Sequence, residues 1–380
     1  MCSSLRTQKA LSQKNDKQYT GGWYCKAQRD TSQKKPPKTK QGKILMQKRS
    51  IGSLTVSGIG LGCMGFSHGY GAIPTEKESI RLIRQAYDEY GCTLFDTAEV
   101  YAAYENEILV GKALKPIRDS VILSTKFMPD IFLPGQEIPE GKTSRKGLRN
   151  ALEASLKRLQ TDHIDLYYEH RLPKDKDVGE VAEWMGELIK EGKIRAWGVS
   201  EANAQQIKRA HAVTPLCAVQ SEYSLMERQC EAEVLPLCQD LGIGFVAYSP
   251  MAGGFLSGKY SSASKFEGDD VRRVITRFDK KNMDANQPLL DLLQRFAKAK
   301  NATPAQIALA WMLNKYAFVV PIPGMRSDAR MQENFGAMDI ELTQAEMQAL
   351  EEALSNITIY GDRKDSDIQK LGTVKAVSIH

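Results

Sequence analysis

Residues 93–101 read TLFDTAEVY. Thr93, Leu94 and Phe95 form a short β-branched and apolar run that stops at the carboxylate of Asp96, and a loop then carries Tyr101. A run too short for a helix predicts a buried strand whose carboxyl end delivers polar side chains to a loop. The pattern recurs on both sides. Runs at 59–62, 93–96, 121–124, 164–168, 194–199, 218–220, 244–247 and 318–321 predict eight strands, separated by segments of helical period. Residues 75–90 repeat Ile80, Ile83, Ala86 and Tyr87 at helical spacing, and residues 144–159 put Leu148, Leu152, Ser155, Leu156 and Leu159 on one face. Thr75 with Glu78 three residues on, and Thr303 followed by Pro304, mark helix starts. Alternation of this kind predicts an α/β fold with a parallel sheet. The count of eight favours closure into a single (β/α)8 TIM barrel.

Three further segments complete the predicted organisation. Residues 44–49 and 53–57 flank Ile51-Gly52 as a β-hairpin that would plug the barrel floor, and the barrel as a whole spans residues 46–354. Residues 259–287 form a long polar stretch without clear period, and connections of that length are commonly functional lids or disordered. Residues 355–380 read as an irregular C-terminal segment.

Composition sets the class. The 380 residues are 42% hydrophobic and 26% charged, ordinary for a soluble globular chain. No apolar run approaches the roughly 18 residues of a membrane span. The seven cysteines are odd in number and form no C-x-x-C pair, so reduced thiols in the cytoplasm are expected. The net charge of +6 sits in residues 1–45, where nine Lys and two Arg face only Asp16 and Asp30. The remainder is mildly acidic, which gives no argument for nucleic acid as a partner. Residues 1–45 are polar and basic, and read as a disordered tail. A transit peptide would favour Arg over the Lys found here. We prefer a chain that starts at Met46, and residues upstream of Met46 in the intact mass of the native product would contradict that.

Gly60-Leu61-Gly62-Cys63-Met64-Gly65 satisfies G-x-G-x-x-G after a predicted strand. A dinucleotide fingerprint needs its third glycine to open a helix that holds the pyrophosphate. No helical pattern begins here before about Thr75, so the glycines read as a tight loop at the mouth of the first strand.

Three consecutive predicted strands end in polar residues: Asp96, then Lys126 in STKF, then Glu169-His170-Arg171. Taken singly, each is commonplace as a cap, a solvated cation or a packed imidazole. In a parallel barrel, however, all strand C-termini share one mouth, so Asp96, Lys126 and His170 would converge with Tyr101. That set suits carbonyl reduction. A carbonyl that receives hydride builds negative charge on oxygen, and a tyrosine of pKa about 10 donates poorly at neutral pH unless a cation lies nearby. Lys126 would supply the cation, Asp96 would fix it, and His170 would orient the carbonyl. With no metal-ligand spacing in the sequence, a nicotinamide is the natural hydride source.

The ordered motifs GLGCMG, FDTAEVY, STKF, YYEHR, GVSEAN, VQSEYSL, AYSP, IALAW and PIPGMRSDARMQEN resemble the aldo-keto reductase superfamily over about residues 46–350, and most closely its branch with HR after the fourth strand. The resemblance implies a TIM barrel, NADPH/NADP+ bound without a Rossmann domain, and a tetrad of Asp96, Tyr101, Lys126 and His170 with Tyr101 as proton donor. It also implies a small-molecule carbonyl substrate, with no membrane or nucleic-acid partner. Gly62 and Met64 lie in the implied cofactor site, Ser200 and Gln220 match residues that hold the nicotinamide amide, and Tyr248 matches the ring that stacks on it. Ser249, Pro250, Gly254 and Leu256 resemble the loop over the pyrophosphate, although Ala252-Gly253 replaces a common Gly-Arg. Gly324, Arg326, Arg330, Glu333 and Asn334 match the adenosine end, where Met325 replaces a usual hydroxyl residue. Guanidinium groups such as Arg326 and Arg330 suit the 2′-phosphate of NADPH, and Ser327 or Asp328 would cap a helix there. The substrate pocket would be walled by Phe66, His68, Tyr70, Tyr101, Phe127, Met128, Leu172, Tyr223 and Tyr360. Two other readings remain: a cofactor-binding regulatory subunit with little activity, and a cofactor-free barrel enzyme that uses Asp96 and His170 as acid and base.

Overall fold

The computed structural model describes residues 46–129, 144–173 and 176–364. The predicted tail, and residues 365–380 of the C-terminal segment, lie outside the described residues. The first two strands, β1 (Lys48–Ile51) and β2 (Leu54–Ser57), pair antiparallel. The turn falls at Gly52-Ser53, one residue later than the sequence implies. Gly52 adopts φ 54°, which suits glycine, while Ile51 is wholly buried and is needed as a strand residue on the barrel floor.

Eight parallel strands follow: β3 (Leu61–Gly62), β4 (Leu94–Asp96), β5 (Ile122–Phe127), β6 (Ile164–Glu169), β7 (Ile194–Ser200), β8 (Ala218–Glu222), β9 (Gly244–Tyr248) and β10 (Val319–Pro321). Each pairs with its sequence neighbour, β3 through β10 in order. The first and last edges meet as well: the Gly60 N–H donates to the Pro321 carbonyl at 2.9 Å and the Gly62 N–H to the Pro323 carbonyl at 3.3 Å. These bonds close the barrel, and the glycines explain the close approach. A Cβ on Gly62 would stand 2.6 Å from the Ile322 carbonyl oxygen. The G-x-G-x-x-G run is thus the seam of the barrel; it leads into a single 3-10 turn at Met64–Phe66, and the next α-helix begins only at Glu76.

The ring contains α1 (Glu76–Asp88), α2 (Glu105–Leu114), α3 (Arg145–Leu159), α4 (Val178–Lys190), α5 (Ala204–Val213), α6 (Val234–Leu241), α7 (Lys280–Ala285), α8 (Gln287–Lys300), α9 (Pro304–Lys315), α10 (Asp328–Phe335) and α11 (Gln344–Ser355). The expected caps at Thr75 and Thr303 are in place, and Ser144 adds a third. Thr75 accepts from the Glu78 N–H, Ser144 caps α3, and Thr303 forms a reciprocal box with Gln306.

One buried cluster fills the barrel interior near its floor, with Ile51 and Val56 of the hairpin against Leu94, Leu166, Ala218, Val246 and Val320. A larger cluster lies between strands and helices. The hairpin is pinned by Arg49, which donates to the carbonyls of Leu313, Tyr316 and Val319 at 2.5, 2.6 and 2.9 Å. With the floor closed, function is left to the opposite mouth, where the strands end. There the polar stretch after β9 forms short 3-10 turns at Val271–Arg273 and Thr276–Phe278 before α7. Residues 356–364 run irregularly across it. Tyr360 and Asn286 exchange two bonds of 2.9 Å, and the Asp362 N–H donates to Thr276 Oγ1 at 3.0 Å. Among the described residues no helix is long and apolar enough to cross a membrane.

Candidate active site

Strand pleat brings the polar groups together. β5 continues past the predicted end to Phe127, so Lys126 lies within the strand, two residues from Ser124 and on the same face. Ser124 is the register partner of Asp96 and donates to Asp96 Oδ2 at 2.7 Å. Lys126 Nζ, fully buried, donates to Asp96 Oδ1 at 2.5 Å and to the Thr97 carbonyl at 2.8 Å. Tyr101 lies beside the same ammonium, whose nitrogen stands 5.2 Å from the Tyr101 ring centroid. Burial alone would push the Lys126 pKa down. Asp96 and Tyr101 more than offset it, so the pKa is raised and the lysine stays charged.

His170 follows β6 directly, its backbone N–H bonded to the Phe127 carbonyl at 2.9 Å. Its ring meets that of Tyr101 edge-on at 5.8 Å between centroids. Burial, then the neighbouring charges of Arg171, Lys126 and Arg363, hold its pKa well below the ordinary value, so the imidazole is neutral. Its Nδ1 is buried without a partner among the described residues. Tyr101 is presented by an unusual turn: Ala102, Ala103 and Tyr104 take φ 48°, 49° and 79° in succession. None is glycine, and a left-handed L-residue costs about 1–2 kcal/mol. Arg158 of α3 braces the turn, its guanidinium 4.3 Å from the Tyr104 ring centre and 2.6 Å from Glu107.

A cleft of about 760 Å³ opens over this cluster and continues toward α10. Asp96, Tyr101 and His170 line it, while Lys126 stands behind them. Of the predicted cofactor residues, Gly62, Met64, Ser200, Gln220, Tyr248, Ser249, Pro250, Gly254, Gly324, Arg326, Arg330 and Asn334 also line it. Two do not. Leu256 is wholly buried in the core and its N–H is taken by the Met251 carbonyl. Glu333 instead pairs with Arg330 at 2.7 Å and lies 3.6 Å from Lys259. Met325 is likewise fully buried. Gln220 donates its amide to Asp96 Oδ2 at 2.9 Å, and Ser200 Oγ accepts from Arg171 at 3.1 Å. Arg326 donates to the carbonyls of Ala72 and Tyr70 at 2.8 and 3.0 Å, which ties the loop after β3 across the cleft. Ser327 caps α10 by accepting from the Arg330 N–H.

His68, Tyr70 and Met128 line the cleft as expected, whereas Phe66, Phe127 and Tyr223 are core residues and Tyr360 is largely exposed. An aromatic on a predicted loop is equally fit for packing, which is why sequence did not separate them. Sequence reading missed Tyr260, Arg272 and Arg363, all of which line the cleft from irregular segments with no periodicity to flag them. Arg272 is clamped by Asp270 at 2.5 Å and lies 4.5 Å from the ring centres of Tyr260 and Phe266.

Comparison with known proteins identifies the family and the fold. The sequence model of the Aldo/keto reductase family matches residues 58–355. A probable aldo-keto reductase 1 of Glycine max is 38% identical over 330 residues, 85% of this chain and 92% of that protein. A glycerol dehydrogenase from Gluconobacter oxydans superposes with a TM-score of 0.73 at 26% identity, covering 82% of this chain and 96% of that one. An aldo-keto reductase from Klebsiella pneumoniae, solved in complex with NADPH, gives a TM-score of 0.64 at 28% identity over 81% of this chain and 95% of that one.

Proposed function

The chain belongs to the aldo/keto reductase family of oxidoreductases, and from that premise we propose that it reduces an aldehyde or ketone to the alcohol with NADPH, using Tyr101 as the proton donor. The observation that carries this reading is the Asp96–Lys126–Tyr101 cluster, in which a buried ammonium bonded to Asp96 stands beside a phenol that faces a cleft.

The cleft suits the cofactor. Tyr248 lines the cleft, the buried His170 Nδ1 has no partner among the described residues, and Arg326 and Arg330 stand at the far end beside the capped start of α10. Guanidinium groups at a helix N-terminus suit phosphate. When bound, NADPH supplies the hydride. The protein does the rest. His170, neutral, donates an N–H to the carbonyl oxygen and orients it. Tyr101 transfers its hydroxyl proton to that oxygen as negative charge develops, and Lys126 stabilises the resulting tyrosinate while Asp96 holds the ammonium in place. Solvent then returns the proton to Tyr101. One carbonyl, one NADPH and one proton give one alcohol and one NADP+. A cytoplasmic setting is part of the same reading, supported by the free thiols of Cys63, Cys92, Cys217, Cys230 and Cys238.

The test is oxidation of NADPH and of NADH in the presence of 4-nitrobenzaldehyde. We expect turnover with NADPH and a lower kcat/KM with NADH. NADPH that quenches protein fluorescence but is never oxidised would overturn the reading in favour of a regulatory subunit. Absence of any nicotinamide binding would favour a cofactor-free enzyme.

A further inference from the structure

The turn that presents Tyr101 is strained, and much of what holds it comes from distant elements. Ala102, Ala103 and Tyr104 occupy the left-handed region one after another, and such a run persists only where its surroundings over-determine it. Some of the restraint is local. The Tyr101 N–H donates to the Ala98 carbonyl at 3.1 Å, and the Tyr104 N–H to the Glu99 carbonyl at 3.0 Å. The rest comes from β5 and α3. Glu99, wholly buried, donates its N–H to the Lys126 carbonyl at 3.1 Å, and its carboxylate accepts from the Met128 N–H at 2.8 Å. Glu107, also wholly buried, accepts from Thr125 Oγ1 and from Arg158 Nε, each at 2.6 Å. Thr125 and Lys126 are neighbours in β5 and so face opposite sides of the sheet. One strand thus holds the ammonium on its cleft side and braces the turn from its helix side.

We propose that Arg158 and Tyr104 are positioning residues for Tyr101: the guanidinium, held by Glu107, covers the Tyr104 ring and keeps the turn in the course that sets the phenol beside Lys126. The proposal rests on the reductase reading above. The guanidinium is oriented by two bonds, from Nε to Glu107 and from Nη2 to Ser155 Oγ at 3.0 Å. Its centre stands 4.3 Å from the Tyr104 ring centre, within the range of cation–π attraction. The Tyr104 hydroxyl is buried with no hydrogen-bond partner among the described residues, so the ring rather than the hydroxyl makes the contact. Neither Arg158 nor Tyr104 lines the cleft. Both reach the reacting carbonyl only through the turn that carries Tyr101. A reacting group misplaced by about 1 Å costs about 10²-fold in rate, so a brace of this kind is read in turnover.

The experiment is a double-mutant cycle on kcat for NADPH oxidation with 4-nitrobenzaldehyde, with NADPH affinity read by fluorescence. Tyr104→Phe keeps the ring and should turn over like wild type. Tyr104→Leu removes the ring and should lower kcat about tenfold, with an unchanged dissociation constant for NADPH. In a Tyr101→Phe background, Tyr104→Leu should change the residual kcat by less than about twofold, because the group it positions is gone. All variants are assayed below the onset of thermal unfolding, where a loss of stability alone leaves kcat untouched. If Tyr104→Leu does not fold, Arg158→Lys takes its place with the same expected fall, since it keeps the charge beside Glu107 but not the planar guanidinium. Equal kcat in Tyr104→Leu and Tyr104→Phe, or an equal fall with and without the Tyr101 hydroxyl, would overturn the proposal and leave the reductase reading standing. Wild type that oxidises no NADPH would overturn that reading, and this proposal with it.

Discussion

At the scale of single residues, the site depends on burying charge and polarity without leaving them unpaired. Lys126 is tolerable in the barrel because Asp96 and the Thr97 carbonyl satisfy it, and removing one member of such a buried pair costs about 3–5 kcal/mol. His170 is handled in the opposite way, by being kept neutral. This carries a signature in stability. Its native pKa lies well below the ordinary 6.5, so in that window the unfolded chain takes up a proton that the folded chain refuses. Above pH 6.5 both states are neutral and the group contributes nothing. Below it, stability falls with pH by up to about 1.4 kcal/mol per unit. His68 shifts in the same direction, so the effect of His170 has to be read as a difference. In urea unfolding from pH 8 to 5, Arg and Lys being charged throughout, wild type should lose stability below about pH 6.5 relative to His170→Gln. A difference that is constant across that range would mean His170 titrates normally.

At the scale of elements, the decisive feature is the seam between β3 and β10. It carries few backbone bonds, and the approach of the Gly62 Cα to the Ile322 carbonyl leaves no room for a side chain. Gly62→Ala should therefore destabilise by about 1–3 kcal/mol. Gly324, whose added Cβ would meet nothing nearer than the Gly62 carbonyl oxygen at 3.9 Å, should accept Ala within about 0.5 kcal/mol. Equal midpoints for both variants in urea would refute this account of the seam. The elements themselves were largely legible. The runs LFD, ILS and IDLYY are strands where their apolar character predicts, and Thr75 and Thr303 cap where their side chains predict. Ends were less so. β5 extends to Phe127 because hydrogen bonding to β6 carries on through Lys126 and Phe127, a tertiary fact that no local pattern contains. The left-handed turn at 102–104 was invisible for a related reason. It lacks the glycines that usually announce positive φ and is held by Arg158 from a distant helix.

At the scale of the whole molecule, closing a parallel sheet on itself forces every strand to deliver its end to one mouth, and a hairpin at the other end seals the floor. That geometry is why three residues from three strands and a loop tyrosine, from Asp96 to His170 in the chain, converge on one cleft. It also explains what sequence left out. Arg272 reaches the cleft from a short 3-10 turn, held by Asp270, and Arg363 from an irregular segment whose course is fixed by bonds to Asn286 and Thr276. The central claim is that this convergence makes Tyr101 a proton donor, and one comparison tests it most directly. Wild type and Tyr101→Phe are titrated with NADPH by fluorescence and then assayed for NADPH oxidation with 4-nitrobenzaldehyde. The account predicts the same dissociation constant for both and a kcat lower by about 10²–10⁴ in the variant, the range for loss of acid–base assistance. A variant that binds NADPH equally and turns over at the wild-type rate would contradict it.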